Sequence, residues 1–286
     1  MTYLKILLSS LLLCLLISGC AETTARTSGD ASSPPLAKKV EVSETEAGLP
    51  TALAAGTTVL RRISSNVLGY DLQYWVQLPA DYQIGTAYPT LYITDGWWYK
   101  EDGGLPGVAK DLMAEDQIQD IILIYVDAYD PDNQKNNRRN SQFLCKPKYV
   151  QFYKEELVPA VDDEFRTDAS RTSRGMLGVS FGGLNSMYFG IHAHDTFGKI
   201  GIQSPAPHPC PDIYTEYENR DRLPIEIYLS TGTVNDKAKA TRRLKRILDE
   251  KGYEFAYDEV PHGHTWANWT PLLDDVLLHF YGSVAN

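Results

Sequence analysis

Met176-Leu177-Gly178-Val179-Ser180-Phe181-Gly182-Gly183-Leu184-Asn185-Ser186-Met187-Tyr188-Phe189 is the stretch on which the reading of this chain turns. Its first four residues form a short apolar run that suits a buried strand, and the run from Gly182 can start a helix. Between them, residues 178–182 read G-x-S-x-G. With a strand before it and a helix after it, that pattern sets a serine on a tight turn, its hydroxyl pushed out of the fold toward a substrate and a base. The glycines serve the strained turn and the close passage of strand and helix. In an ordinary loop the same five residues carry no such meaning, so the flanks decide. Ser180 is the candidate nucleophile.

Outward from that turn the chain alternates strands and helices. Strands are predicted over 57–63, 70–78, 88–94, 121–126, 199–203, 225–230 and 255–260, with Pro79 stopping the second. Residues 121–126, Ile-Ile-Leu-Ile-Tyr-Val, are apolar on both faces, as a strand inside a parallel sheet must be. Helices are predicted over 107–117, 149–165, 237–251 and 266–280, and Pro159 should kink the second. The implied class is α/β, a doubly wound and mostly parallel sheet with helices on both faces and antiparallel early strands.

The N-terminal part has another character. An apolar run over 4–17 carries one positive residue near its start, Lys5, and is too short to span a bilayer. It ends in Ile17-Ser18-Gly19-Cys20, which resembles a bacterial lipobox; residues 1–19 would then be a lipoprotein signal peptide and Cys20 the lipidated first residue. A secretory signal without lipidation is the alternative. The anchored form would sit in the bacterial cell envelope, at the outer membrane or periplasmic face. Residues 20–55 are mostly Thr, Ser, Ala, Glu and Pro and suit a flexible tether, while 56–286 suit one domain. The formal net charge of −10 argues against nucleic acid or an anionic membrane surface as partner. Of the 4 cysteines, Cys14 leaves with the signal and Cys20 carries lipid. Cys145 and Cys210 remain, a disulfide candidate in an oxidising compartment, with two separately buried thiols as the alternative.

A nucleophilic serine needs a base, and the base needs a partner that fixes its tautomer. In such a sheet these sit beyond the carboxyl ends of the strands. Of 6 histidines, His262 and His264 lie there, in the loop Pro261-His262-Gly263-His264-Thr265-Trp266. His264 is the better candidate because it stands directly before the last helix. No carboxylate or cysteine stands at ligand spacing beside either His-x-His pair, so neither a metal nor another cofactor is expected. The acid should follow the preceding strand, in the order Ser, Asp, His. Asp236, after Gly232-Thr233-Val234-Asn235, is the first carboxylate available; it is equally placed to cap the helix from Lys237. Oxyanion donors are expected from the backbone N–H of Phe181 and, in the loop Asp95-Gly96-Trp97, of Trp97.

Taken together, Leu91-Tyr92-Ile93-Thr94-Asp95-Gly96, Glu156-Leu157-Val158-Pro159, Gly178 to Gly183, Gly232-Thr233 and Gly263-His264-Thr265-Trp266 resemble the esterase D and enterochelin-esterase-like "putative esterase" family. The resemblance runs from about residue 57 to 281. It implies the α/β-hydrolase fold, Ser180 as nucleophile, His264 as base, and Trp97 and Phe181 as oxyanion donors. Many members place the acid where this chain has Asn235, one residue before Asp236.

The expected activity is that of a serine carboxylic-ester hydrolase acting through an acyl-enzyme on a carbohydrate-linked feruloyl or acetyl ester. A siderophore trilactone is the alternative substrate, and a non-catalytic binding lipoprotein of the same fold the alternative class. Trp98, Tyr99 and Trp266 are candidates to contact the substrate, and Arg138, in the polar loop 127–140, to bind an acidic one; packing and solvated-loop roles stand beside these.

Overall fold

The computed structural model describes residues 54–283. The expected signal peptide 1–19, Cys20 and nearly all of the expected tether 20–55 lie outside the described residues. In chain order the first elements are β1 (Thr58–Ser65), β2 (Tyr70–Gln77), β3 (Thr90–Ile93), α1 (Gly96–Glu101), α2 (Leu105–Ala114), β4 (Ile122–Val126), β5 (Tyr129–Asp130), β6 (Asn133–Asn137), α3 (Arg139–Phe143), α4 (Pro147–Phe152) and α5 (Val158–Glu164). There follow β7 (Arg174–Val179), α6 (Phe181–His192), β8 (Lys199–Gln203), α7 (Ile213–Asn219), β9 (Glu226–Gly232), α8 (Ala238–Glu250), β10 (Phe255–Val260), α9 (Trp266–Trp269) and α10 (Leu273–Tyr281).

Eight strands form one sheet in the order β1-β2-β4-β3-β7-β8-β9-β10. β1 pairs antiparallel with β2, and β2 with β4; every other pair in this sheet is parallel. Because β3 lies between β4 and β7, the chain reverses its direction of travel across the sheet at β3 and β7. Such a switch point leaves a crevice beyond the carboxyl ends of the strands. Ser180 follows β7 directly, and Asp95-Gly96-Trp97 follows β3, so the candidate nucleophile and oxyanion loop meet at that crevice.

Alternation along the central strands feeds a core on each face. Tyr92, Ile122, Ile124 and Ile200 pack with Phe152, Tyr153, Phe189 and Phe197 on one side. Leu91, Ile93, Leu123 and Leu177 pack with Leu105, Leu273 and Leu277 on the other. Each such fully buried apolar side chain contributes about 1.5–3 kcal/mol of transfer free energy. Rings dominate the first core: Tyr153 meets Phe189 edge-on at 4.9 Å.

Two departures from the predicted elements have clear causes. The 149–165 helix is two helices, joined by a π-helical turn over Tyr153–Leu157. α5 restarts after it with Pro159 in its first turn, where the missing N–H costs no bond. Loop 127–140 contains the two-stranded β5–β6 ribbon and the start of α3. β6, Asn-Gln-Lys-Asn-Asn, is exposed throughout, so no apolar period marked it. Glu156, part of the family-like motif, does structural work: its carboxylate accepts from the N–H groups of Asn66 and Val67 at 2.9 and 3.1 Å and from the Ser65 hydroxyl, closing the β1–β2 turn.

Cys145 and Cys210, 65 positions apart in the sequence, are joined by a disulfide with Cα atoms 6.3 Å apart. It ties the segment after α3 to the loop between β8 and α7. Replacing both by serine should lower stability by about 2–4 kcal/mol, chiefly by freeing the unfolded chain. The urea midpoint of the double variant checks this, and an unchanged midpoint contradicts it.

Candidate active site

Ser180 has φ 58° and ψ −115°, a backbone conformation strained for a residue with a Cβ. It is held there from both sides. Its N–H donates to Gln203 O at 3.0 Å, and its carbonyl accepts from Leu184 and Ala206 N–H, each at 3.0 Å. The flanking glycines are obligatory by contact. A Cβ on Gly178 would stand 2.3 Å from the Gly182 carbonyl oxygen, and one on Gly182 would stand 2.7 Å from Thr94 Oγ1. Helix α6 therefore starts pressed against both its own strand and the end of β3.

The base and the acid come from the two loops predicted to carry them. His264 Nε2 lies 2.8 Å from Ser180 Oγ, and His264 Nδ1 lies 2.5 Å from Asp236 Oδ1. The side chain of Asp236 is fully buried. Its Oδ2 accepts from Ser204 Oγ at 2.6 Å, Thr231 Oγ1 at 3.1 Å, Gly232 N at 2.5 Å and Asn268 Nδ2 at 2.9 Å. Burial pushes this carboxyl up, but the hydrogen bonds from His264, Ser204 and Gly232 outweigh it and hold it well below the usual carboxylate range. Asp236 is thus ionised at neutral pH and can only accept. His264 must carry its proton on Nδ1, which leaves the Nε2 lone pair facing the serine hydroxyl.

Asp236 is no helix cap: α8 begins after Lys237 without a side-chain cap. Asn235 has φ 55°, and this left-handed residue absorbs the extra position so that Asp236, not Asn235, reaches the histidine. His262 is exposed, and it is its carbonyl that works, accepting from Val234 N–H at 3.1 Å. The ring of Trp269 stands edge-on to His264 at 4.9 Å, and its Nε1 donates to Ser204 Oγ at 2.8 Å. Ser204, Thr231, Asn268 and Trp269, none of them singled out from the sequence, hold the acid in place.

Phe181 and Trp97 occupy the first turns of α6 and α1, where backbone N–H groups have no partner within the helix. The contact of Gly182 with Thr94 brings these two helix starts together. Behind them lies a buried ion pair: Arg139 Nε to Asp95 Oδ1 at 2.8 Å and Nη2 to Oδ2 at 2.9 Å. Asp95 holds φ 55°, so the pair fixes a strained residue directly before Gly96 and Trp97.

Two expected substrate contacts are corrected. Tyr99 is 0% exposed and its hydroxyl donates to Gln203 Oε1 at 2.8 Å, so it is a core residue. Arg138 donates to Asp71 O at 2.7 Å, pairs with Asp130 and lies over the Tyr70 ring at 4.1 Å, which commits it to anchoring the β5–β6 ribbon. Trp98 is half-buried under the Arg139 guanidinium, 4.7 Å from its ring. Trp266 is half-buried against Tyr99 and Trp269. Among the described residues no group of three or more His, Cys, Asp or Glu could hold a metal ion.

Asp127, at the end of β4, is 2% exposed and accepts from Gln73 Nε2 at 2.7 Å and Tyr129 N–H at 3.2 Å. Burial pushes its carboxyl up to about 6, against the pull of those hydrogen bonds. Because the folded value lies above the unfolded one, the stability linked to this group is present below pH ~4 and lost as pH rises through 6. The gap corresponds to about 3 kcal/mol. Asp127→Asn should therefore gain about 3 kcal/mol on the parent between pH 4 and pH 8, read from urea unfolding at the two pH values. A gap independent of pH contradicts this.

A family model described as "Putative esterase" matches residues 65–280. A Bacillus subtilis relative, "Uncharacterized protein YjcH", is 26% identical over 234 residues, covering 78% of this chain and 96% of the relative. The endo-1,4-beta-xylanase/feruloyl esterase of Xylanibacter ruminicola is 29% identical over 122 residues, 41% of this chain but 16% of that protein. Among solved structures, the enterobactin esterase of Shigella flexneri in the presence of enterobactin superposes with a TM-score of 0.71 at 20% identity, over 78% of this chain and 58% of that one. A ferulic acid esterase superposes with a TM-score of 0.69 at 16% identity, over 80% of this chain and 98% of that one. The chain thus spans a small part of the xylanase/feruloyl esterase and little more than half of the enterobactin esterase. At these identities the superpositions establish a shared fold, the α/β-hydrolase type. With its family model matched across 65–280, the chain belongs to the putative esterase family of hydrolases.

Proposed function

We propose that this protein is a serine carboxylic-ester hydrolase working through an acyl-enzyme, with a carbohydrate-linked feruloyl or acetyl ester as substrate. The observation that carries the reading is the unbroken series Ser180 Oγ to His264 Nε2 at 2.8 Å and His264 Nδ1 to Asp236 Oδ1 at 2.5 Å, on a strained elbow. Ser180 attacks the ester carbonyl as His264 takes its proton; the tetrahedral oxyanion forms beside the N–H groups of Phe181 and Trp97. Collapse expels the alcohol, which leaves with the proton from His264. Water, deprotonated by His264, then cleaves the acyl-enzyme and restores Ser180. Each oxyanion donor is worth about 3 kcal/mol in the transition state.

The feruloyl part of the reading draws on the Xylanibacter ruminicola relative, and a siderophore trilactone draws on the fold shared with the enterobactin esterase. A non-catalytic binding role would leave the strained serine and its ordered histidine without a use. Lipidation at Cys20 would hold the domain in the cell envelope, and the Cys145–Cys210 disulfide suits that oxidising setting. Initial rates with methyl ferulate, an acetylated xylo-oligosaccharide and a catecholate trilactone test the substrate. One of the first two should lead by more than about tenfold in kcat/KM. A lead for the trilactone transfers the assignment to the siderophore ester, and no turnover of any overturns the hydrolase.

A further inference from the structure

A cavity of about 580 Å³ opens between the loop after β8 and helix α8, one residue removed from Ser180. It adjoins the site on two sides. Ala206, in its wall, donates its N–H to the Ser180 carbonyl at 3.0 Å, and His208 packs on the Phe181 ring at 5.5 Å. Asp236 borders it from the other side. Its volume falls in the range of ligand sites. Its rim is fixed, because the Cys145–Cys210 disulfide holds the loop that carries Ala206 and His208.

The charge around this cavity is one-sided. Lys239, Arg243 and Arg246 recur at the spacing of a single face of α8, and Lys237 precedes that face. The flank of the helix that faces β10 carries cations too, but those are neutralised: Arg242 pairs with Glu259, and Lys245 with Asp249 at 2.7 Å. Among the described residues, Lys237, Lys239 and Arg246 form no ion pair, and Arg243 has one loose contact, 3.4 Å from Glu218 with both groups well exposed. The Arg243 guanidinium is instead stacked 4.1 Å over the Tyr214 ring, which pre-orients it in the cavity wall. Asp236, the acidic residue at the cavity, has its carboxylate fully buried and already receives its hydrogen bonds. In a chain of net charge −10 this concentration of unpaired cations runs against the overall balance.

We propose that this cavity is a subsite for a negatively charged portion of the ester, so that the preferred substrate is an anionic ester. The assignment rests on the hydrolase reading above and names the chemistry of its substrate. Cations at the rim raise the local concentration of an anionic ester, and stacked Arg243 holds its carboxylate or phenolate oxygens while the ester carbonyl lies over Ser180.

Two matched pairs of esters test it, with rates normalised to alkaline hydrolysis. Mono(4-nitrophenyl) glutarate against 4-nitrophenyl pentanoate puts the charge in the acyl part. The 4-acetoxycinnamate anion against its methyl ester puts it in the alcohol part. In the parent protein at least one anionic member should be preferred by about tenfold or more in kcat/KM. In the variant carrying Lys237→Gln, Arg243→Gln and Arg246→Gln that ratio should fall to within about threefold of unity. Arg242→Gln with Lys245→Gln, on the flank of α8 that faces β10, should leave it unchanged. Ser180-dependent turnover without an anionic preference in either pair overturns the subsite and leaves the hydrolase standing, as does a preference that survives the triple substitution. Absence of turnover with all four esters overturns both.

Discussion

Ser180→Ala is expected to lower kcat for any ester the protein turns over by on the order of 10⁶-fold, with a melting temperature within about 2 °C of the parent. The loss is large because the serine and histidine act as one unit: without Oγ there is nothing for His264 to deprotonate and no acyl-enzyme forms. The fold survives because the hydrogen bond from Oγ goes to His264 in an open crevice, while the strained backbone is held by the Ser180 N–H bond to Gln203 O and by bonds from the Leu184 and Ala206 N–H groups, all of which alanine retains. Oxyanion donors should leave a residual rate above that in water. Comparable rates for variant and parent would remove Ser180 from the chemistry.

Asp236→Asn should cost about 10⁴-fold in kcat and, unlike the serine variant, also about 1–3 kcal/mol of stability where its NH₂ meets the donors around it. The second effect follows from the number of donors that meet this carboxylate. Oδ1 faces His264 Nδ1, and Oδ2 faces Ser204, Thr231, the Gly232 N–H and Asn268. An asparagine must turn its amide NH₂ toward one side or the other. Toward His264, it forces the proton onto Nε2 and blocks proton transfer from Ser180. Toward the four donors, it sets donor against donor in a buried place. Kinetics with urea unfolding on the same preparation separate the two effects. A variant that loses activity with full stability has its NH₂ turned toward His264, one that also loses stability has it turned toward the four donors, and one that keeps activity contradicts the role of Asp236.

The folded state also shows which parts of the site a linear reading reaches. Ser180 and His264 were legible because each sits where the backbone changes from strand to helix, and glycine marks both places. Asp236 was legible as the first carboxylate after β9, but not why it replaces Asn235, since the left-handed backbone of Asn235 is a local conformation without a motif. The residues that hold the acid were not legible. Ser204, Thr231, Asn268 and Trp269 come from four separate segments and converge through the sheet, and each looks like an ordinary polar or aromatic residue in its own neighbourhood. Tyr99 and Arg138 misled for a related reason: residue type does not tell which way a side chain turns. One faces the core, the other a ribbon whose polar strand left no period to read. The sheet was the most legible part, because strands such as β4, apolar throughout, stand out from the polar turns that close them off.

Covalent trapping tests the central claim most directly. Intact-mass and peptide spectra after incubation with a fluorophosphonate should show one adduct per chain, located on Ser180. Adduct formation should be strongly slowed by His264→Ala and absent in Ser180→Ala. An unmodified protein, or an adduct on another residue, would contradict the assignment of Ser180 as a nucleophile activated by His264.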